Sequence, residues 1–318
     1  MKTQPDNSFS LSSSVIIPSF NRAHRLERCL QSVLKQTVLP TEIIIVNDGS
    51  TDDSRKFLDK LEIDIQTNSR FRSLSIKIFH TSNNGVSAAR NLGIAKSSCE
   101  WIFFLDSDDE WLDEKIAIQL NFHKTYPNFK ISQTQEKWIR REVFVNPRFK
   151  HKKVSGWIFA HSLELCSITP SSACIHRNVF EEVGGFDSNL LSCEDYDLWL
   201  AIASMYEVAL IDQELLIRYG GELDQLSAKY KAMDRFRIYA LLKRLPDFTS
   251  DQQLMALEIL KTKLGILIEG RKKRNKDSNI LMEILSNLNN KIQEDKNLKG
   301  SHIPIHWKKF LLNDENWE

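Results

Sequence analysis

The chain has few cysteines, no long apolar run and almost no net charge, and each shortage removes a class of function. Its five cysteines, spread over 318 residues, include no CxxC pair, which excludes a disulfide framework and a zinc ribbon. The nearest approach to a metal cluster, Cys166, Cys174 and His176, fits no standard zinc spacing and reads as buried thiols. No stretch nears the ~18 apolar residues of a membrane span. The opening MKTQPDNSFSLSSS is polar and lacks the apolar centre of a signal peptide. A cytoplasmic location is the resulting expectation, with a peripheral membrane contact left open. A formal net charge of +1 offers no electrostatic case for nucleic acid.

Familiar phosphate and nucleophile motifs are missing as well. The loop after the first apolar run is PSFNRAHR, without the GxGxxG of a dinucleotide site. There is no P-loop and no GxSxG elbow. Hydride transfer, P-loop ATP hydrolysis and serine hydrolysis therefore lose their usual signatures. What remains is ordinary globular composition, 42% hydrophobic and 27% charged. That suits one large domain, or a domain of about 230 residues with an extension.

The first 125 residues alternate apolar runs with helical periodicity. Runs at 14–18 (SVIIP), 42–46 (EIIIV), 75–79 (SIKIF) and 101–105 (WIFFL) predict strands. Between and after them, 22–36, the segment after Asp52, 86–95 and 113–124 predict helices. Strands apolar on both faces and alternating with helices indicate a parallel sheet covered on both sides. Right-handed crossovers give the order 3-2-1-4, which makes strands 1 and 4 neighbours where the winding reverses. Ligands in such sheets bind at the carboxyl ends around that point. Beyond residue 126 the alternation fades. Residues 127–175 read as irregular, 172–176 as a strand, 179–183 and 194–206 as helices, and 208–219 as one or two strands. Helical periodicity then dominates from 231, with a polar break near 270–277.

Two acidic groups stand out. In WIFFLDSDDEW, Asp106, Asp108, Asp109 and Glu110 follow a continuously apolar strand. Alternate side chains leave a strand on one side, so Asp106 and Asp108 can share a hard cation, Mg²⁺ or Mn²⁺, with phosphate oxygens. The same acids also suit a helix start capped by Asp109 or Asp113, with Glu110 as its approach. Asp48, ending the second strand, reads either as a turn residue or as an acceptor for a base N–H. Glu194-Asp195 opens a helix whose dipole favours carboxylates, or holds a base for an incoming hydroxyl, with Trp199 helping to set its surroundings. Residues 137–153 (KWIRREVFVNPRFKHKK) carry seven Lys/Arg against one Glu. They suit an anionic acceptor or a solvated surface. Residues 271–276 (RKKRNK) suit an exposed interhelical turn or an anionic membrane surface.

In order and spacing, SVIIPSFNR, EIIIVNDGSTDDS, GVSAARNLGI, WIFFLDSDDEW, VFEEVGGFD and CEDYDLWL resemble the family 2 inverting glycosyltransferases of the GT-A fold. The resemblance spans about residues 13–220. It implies a GT-A-like, Rossmann-like α/β fold: a mixed, mostly parallel sheet with helices on both faces over 10–230, followed by a C-terminal helical extension over 231–318. It also implies a nucleotide-sugar donor, often a UDP-sugar, a saccharide or lipid-linked hydroxyl acceptor, and a place in cell-surface polysaccharide or glycolipid synthesis. By motif position, Pro18 and Phe20 would contact the base and Asp48 would bond it, with Arg90 near the pyrophosphate or base. Asp106 and Asp108 would form the Asp-x-Asp motif, with Mn²⁺ or Mg²⁺ mainly on Asp108. Asp195 would be the catalytic base. Gly185, Phe186, Glu194, Trp199 and Arg140 would belong to the sugar and acceptor pocket. One departure is visible: relatives often place a His after the last core strand, where this chain has Glu222 and Asp224 as the nearest oxygen ligands. A sugar nucleotidyltransferase would expect a Gly-rich first loop, which PSFNRAHR is not. An inactive nucleotide-sugar-binding protein is the other alternative, against which the joint presence of Asp48, Asp106, Asp108 and Asp195 speaks.

Overall fold

Every residue of the first strand, β1 (Ser13–Ser19), is buried. Its alternate side chains enter two different cores: Val15 and Ile17 one, Ile16 the other. The same split divides Ile43 and Ile45 from Ile44 and Val46 in β2 (Glu42–Asp48). It also divides Phe103 from Ile102 and Phe104 in β4 (Trp101–Phe104). Strands with no polar face can exist only with helices on both sides. The computed structural model, which describes residues 11–146, 151–220, 229–293 and 302–317, has that layering.

One face is covered by α1 (Ala23–Leu34), α2 (Ser54–Thr67) and α4 (Lys115–Thr125), through Leu26, Leu30, Leu58 and Ile116. The other is covered by α3 (Val86–Lys96) and by the later helices. α3 lies so close to β1 that a Cβ on Gly93 would fall 2.3 Å from Ile16 Cγ2. β3 (Ser75–Thr81), β2, β1 and β4 are parallel neighbours in that order, as the crossover rule predicts. Beyond β4 the sheet becomes mixed, continuing through β8 (Cys174–His176), β6 (Ile131–Arg140), β9 (Ala209–Gly220) and β5 (Glu110–Trp111). β7 (Val143–Val145) forms a hairpin on β6.

Two local expectations fail here. Residues 127–175 are not irregular, because β6 crosses them for ten residues. Its sequence, ISQTQEKWIR, is too polar to announce a strand; it is held by pairing with β9 and β8 rather than by an apolar run. Glu110 does not approach a helix but starts β5, paired with Ile217 of β9. The next helix begins only at Lys115, with no capping side chain, so neither Asp109 nor Asp113 caps it.

The remaining helices are α5 (Phe159–Glu164), α6 (Arg177–Val183), α7 (Glu194–Met205), α8 (Asp234–Arg244), α9 (Ser250–Lys272), α10 (Asn279–Gln293) and α11 (Ile305–Leu312). A Thr249/Gln252 capping box opens α9. Phe236, Leu257, Leu281 and Leu311 share the core that holds Trp199 and Phe104. Fully buried Asp197 of α7 accepts from Lys243 Nζ (2.9 Å) and Arg244 Nη2 (2.8 Å) of α8. In the basic turn at 271–276, Arg271 is buried and donates to the Asn316 carbonyl (2.7 Å), beside the Trp317 ring. That arginine belongs to the fold rather than to a membrane-facing surface.

Candidate active site

The carboxyl ends of β2, β1 and β4 lie side by side in the sheet, and hydrogen bonds tie the loops after β1 and β2 together. Asn21, with a left-handed φ of 52°, receives the Thr51 N–H on its Oδ1 (2.8 Å) and donates its own N–H to Ser50 Oγ (2.9 Å). Pro18 is buried inside β1, while Phe20 is 43% exposed at the rim. Asp48 is buried and organises the loop after β3: Oδ1 accepts Asn84 N–H (2.9 Å) and Thr81 Oγ1 (3.2 Å), and Oδ2 accepts Gly85 N–H (2.8 Å). Gly49, at φ +73°, presses against Asn83, whose N would lie 2.5 Å from an added Cβ. This backbone can therefore approach only at glycine.

The four acids of 106–110 separate by partner. Asp106 is held by Ser171, whose Oγ accepts its N–H (3.0 Å), and pairs with Arg90 Nη2 at 2.7 Å. Asp109 is buried, accepting from Ser171 Oγ (2.6 Å) and Tyr219 N–H (3.3 Å). Burial, then the charges of Asp108 and Asp106, push its pKa well above the ordinary carboxylate range. Its work is structural. Glu110 accepts the Tyr219 hydroxyl (2.9 Å), and Arg28 stacks over the Tyr219 ring at 3.6 Å. Asp108 is disfavoured as an anion too. Burial and Asp106 raise its pKa, while Arg22 and Arg25 of the α1 segment pull the other way.

Arg90 joins this cluster to α7. Only 3% exposed, it donates from Nη1 to Glu194 Oε1 (2.7 Å) and from Nη2 to Asp106 Oδ1 (2.7 Å), above the Phe186 ring at 5.0 Å. Burial opposes its charge, but the two carboxylates hold its pKa above the ordinary value. Glu194 has its pKa pushed up to about 6, by burial first and then by Asp195, with Arg90 pulling it down. Asp195 follows directly, partly exposed, accepting Tyr196 N–H on Oδ1 (2.7 Å) and the Cys166 thiol on Oδ2 (3.1 Å). Burial and Asp195 raise the Cys166 pKa, so that thiol stays a neutral donor. The residue before the helix, Cys193, is left-handed at φ 61°, a conformation that carries strain in a side-chain-bearing residue.

Several residues expected in the sugar and acceptor pocket lie behind it. Trp199 is 1% exposed and packs in the core one turn below Asp195, so it is a wall of the fold rather than a pocket surface. Phe186 is buried edge-on against Phe104 (5.4 Å). Gly185 lets the chain close on Asn91, whose Oδ1 would sit 2.4 Å from a Cβ; Asn91 brackets Phe186 by accepting its N–H (2.9 Å) and donating to its carbonyl (2.7 Å). Arg140 is exposed at the end of β6, paired in register with Gly220. Ser171, Cys166, Tyr219 and Arg28 were missed, the first three because they come from unrelated parts of the chain. Arg22, Arg25 and Arg28 carry a readable signal, a spacing of three that runs from the N-cap of α1 into its first turns.

Among the described residues no three His, Cys, Asp or Glu side chains gather as a metal cage; Glu222 and Asp224 lie outside the described residues. Asp106 and the under-compensated Asp108 offer hard oxygens on one side only. That suits an ion that takes few carboxylates and completes its shell with phosphate and water, not a closed structural site.

The family model for glycosyl transferase family 2 matches residues 14–183. An uncharacterized glycosyltransferase of Rickettsia felis is 37% identical over 202 residues, covering 64% of this chain and 32% of that protein. The chain thus spans about a third of that relative's length. The Escherichia coli UDP-Glc:α-D-GlcNAc-diphosphoundecaprenol β-1,3-glucosyltransferase WfaP is 29% identical over 197 residues, 60% of this chain and 70% of that one. Among solved structures, Staphylococcus aureus TarS with UDP-GlcNAc superposes with a TM-score of 0.59 at 16% identity, covering 80% of this chain and 81% of that one. The Pyrobaculum calidifontis mannosyltransferase PcManGT with GDP-Man and Mn²⁺ gives 0.57 at 15%, covering 90% and 83%. Architecture and family model agree: this GT-A-fold chain, with its C-terminal helices, belongs to glycosyl transferase family 2.

Proposed function

We propose that the protein is an inverting glycosyltransferase that moves a sugar from a nucleotide-diphosphate donor, a UDP-sugar in the first instance, to a hydroxyl acceptor. The observation that carries this reading is Arg90. Its two 2.7 Å contacts make the Asp106 cluster and the Glu194-Asp195 pair one site. On this reading Phe20 and the Asp48 loop would receive the base, and the acids would face the diphosphate through a shared cation. Asp106 and Asp108 would hold Mn²⁺ or Mg²⁺, which when bound supplies positive charge to a leaving diphosphate.

Asp195 takes the proton of the accepting hydroxyl as that oxygen attacks the anomeric carbon from the face opposite the diphosphate. One displacement inverts the configuration and requires no covalent sugar–enzyme intermediate. The thiol of Cys166 and the Tyr196 N–H hold the Asp195 carboxylate in one orientation. Arg90 occupies Glu194 Oε1 at 2.7 Å and favours its ionised form, which leaves Asp195 as the carboxylate of the pair free to take the proton. WfaP, by its name, uses UDP-Glc and a lipid-diphosphate-linked sugar, which supports this donor class and a role in surface-glycan synthesis. Among the described residues no helix is long and apolar enough to cross a membrane.

A thermal-shift panel of UDP, GDP and their sugars, each with and without Mn²⁺, tests the reading. Metal-dependent stabilisation by UDP and UDP-sugars is expected, because a ligand binding only the native state raises its melting temperature. Indifference to every nucleotide sinks the proposal.

A further inference from the structure

β6 and β9 run parallel into the rim of the site, with Trp138 beside Arg218, Ile139 beside Tyr219 and Arg140 beside Gly220. The Trp138 indole is pinned, since Nε1 donates to Glu136 Oε1 at 2.7 Å. The guanidinium carbons of Arg140 and Arg218 each lie 5.3 Å from its ring centre. The two cations are therefore no more than twice that distance apart, fixed on one aromatic scaffold.

Their charge is only partly offset nearby. Glu136 lies 3.7 Å from Arg218 but is already bound by Lys153 at 2.9 Å. Arg140 has no carboxylate partner among the described residues. Lys153 and Arg218 thus share Glu136, with the charges of Asp109 and Asp106 also acting on Arg218, whose side chain remains 46% exposed. The hairpin beyond Arg140 turns through Arg141 and Glu142, both left-handed at φ 48° and 64°. Asn-Gly is the usual choice for that turn; here Arg and Glu take it. The residue after Arg218 is Tyr219, whose N–H donates to Asp109. The cationic ladder thus lies beside the acid cluster, on strands that sit beyond β4 from the β1 and β2 that carry the Phe20 and Asp48 loops.

We infer that Arg140, Trp138 and Arg218 form an acceptor subsite for an anionic group, phosphate or carboxylate, carried next to the accepting sugar. Guanidinium groups match both anions through paired N–H donors, and the indole holds the two forks in register. Calling the ligand an acceptor rests on the transferase reading; the anion site itself does not.

Calorimetric titration of the full chain with a hexose 1-phosphate, a hexuronic-acid disaccharide and a neutral disaccharide tests it, with UDP as the donor-side control. At least one anionic probe should bind about tenfold tighter than the neutral one. Arg140→Ala and Trp138→Ala should each lose about tenfold for that probe, Trp138→Phe should retain it, and UDP affinity should stay within about twofold. Preference for the phosphate probe points to a phosphate-linked acceptor, and preference for the uronate to an acidic saccharide. Equal binding of charged and neutral probes, no binding of either anion, unaltered variants, or parallel loss of UDP binding would each overturn the inference. Ladder-dependent anion binding in a protein that ignores UDP would leave the subsite standing and remove the transferase reading instead.

Discussion

Replacing Arg90 by Met removes a cation that is 3% exposed from between two carboxylates, each 2.7 Å away. Met keeps most of the stem volume above the Phe186 ring, so the loss is electrostatic rather than a cavity. Breaking a buried pair by removing one partner costs about 3–5 kcal/mol. Glu194 adds a pH dependence. Its rise from the ordinary 4.5 to about 6 corresponds to about 2 kcal/mol by which its ionised form already opposes folding. The folded pKa is the higher one, so native Glu194 takes up a proton on folding. Its stability contribution is intact below about pH 4.5 and is lost as pH rises through 6. Without Arg90 its charge and its hydrogen bond, two of the three influences that pull this pKa down, disappear. The loss then grows and extends to higher pH. Urea unfolding followed by tryptophan fluorescence should show Arg90→Met destabilised by about 3–5 kcal/mol at pH 8, and by clearly less at pH 5. Adding Glu194→Gln should recover part of the deficit. A deficit under about 1 kcal/mol at pH 8, or one equal at both pH values, would refute the account of Arg90 as the buried link of the site.

Three further outcomes follow from the same geometry. Asp195→Asn should bind UDP as the wild type does while sugar transfer, read by UDP release, falls about 10²–10⁴-fold; retained transfer removes Asp195 from the base role. Asp108→Asn should abolish Mn²⁺-dependent stabilisation by UDP yet leave the ligand-free protein at least as stable at pH 7, because burial and Asp106 make the ionised Asp108 unfavourable there; a lower ligand-free melting temperature would contradict that. Gly49→Ala must place a methyl 2.5 Å from Asn83 N at φ +73°, and should cost about 1–3 kcal/mol together with weaker UDP binding, both visible in one set of melting curves.

The doubly wound half was legible because its signals are local. EIIIV and WIFFL are buried on both faces, and handedness leaves one economical order for four such strands. Asp106, Asp108 and Asp48 could be placed at the carboxyl ends of neighbouring strands because each ends or follows a strand of known order. The polar half of the sheet was not legible. ISQTQEKWIR is a strand because β9 and β8 pair with it, and those pairings join residues that lie far apart in the chain, as in Arg140 with Gly220 and Ser132 with Cys174. Trp199 and Phe186 went astray for a related reason. A motif places a residue near a site along the chain, but burial decides which side of the wall it faces.

The sequence by itself determined the layered α/β architecture, the strand order and the cluster of acids at the switch point, since these depend on side-chain period and chain handedness. Only the tertiary structure decided how those acids divide. Arg90 claims Asp106 and Glu194, Ser171 and Tyr219 claim Asp109, and β9 claims Glu110. Asp108 is left under-compensated and Asp195 is held by a thiol from a distant loop. Hydrogen-bond partners at 2.6–3.3 Å are set by where the folded chain brings distant segments, a quantity that no local pattern of residues contains.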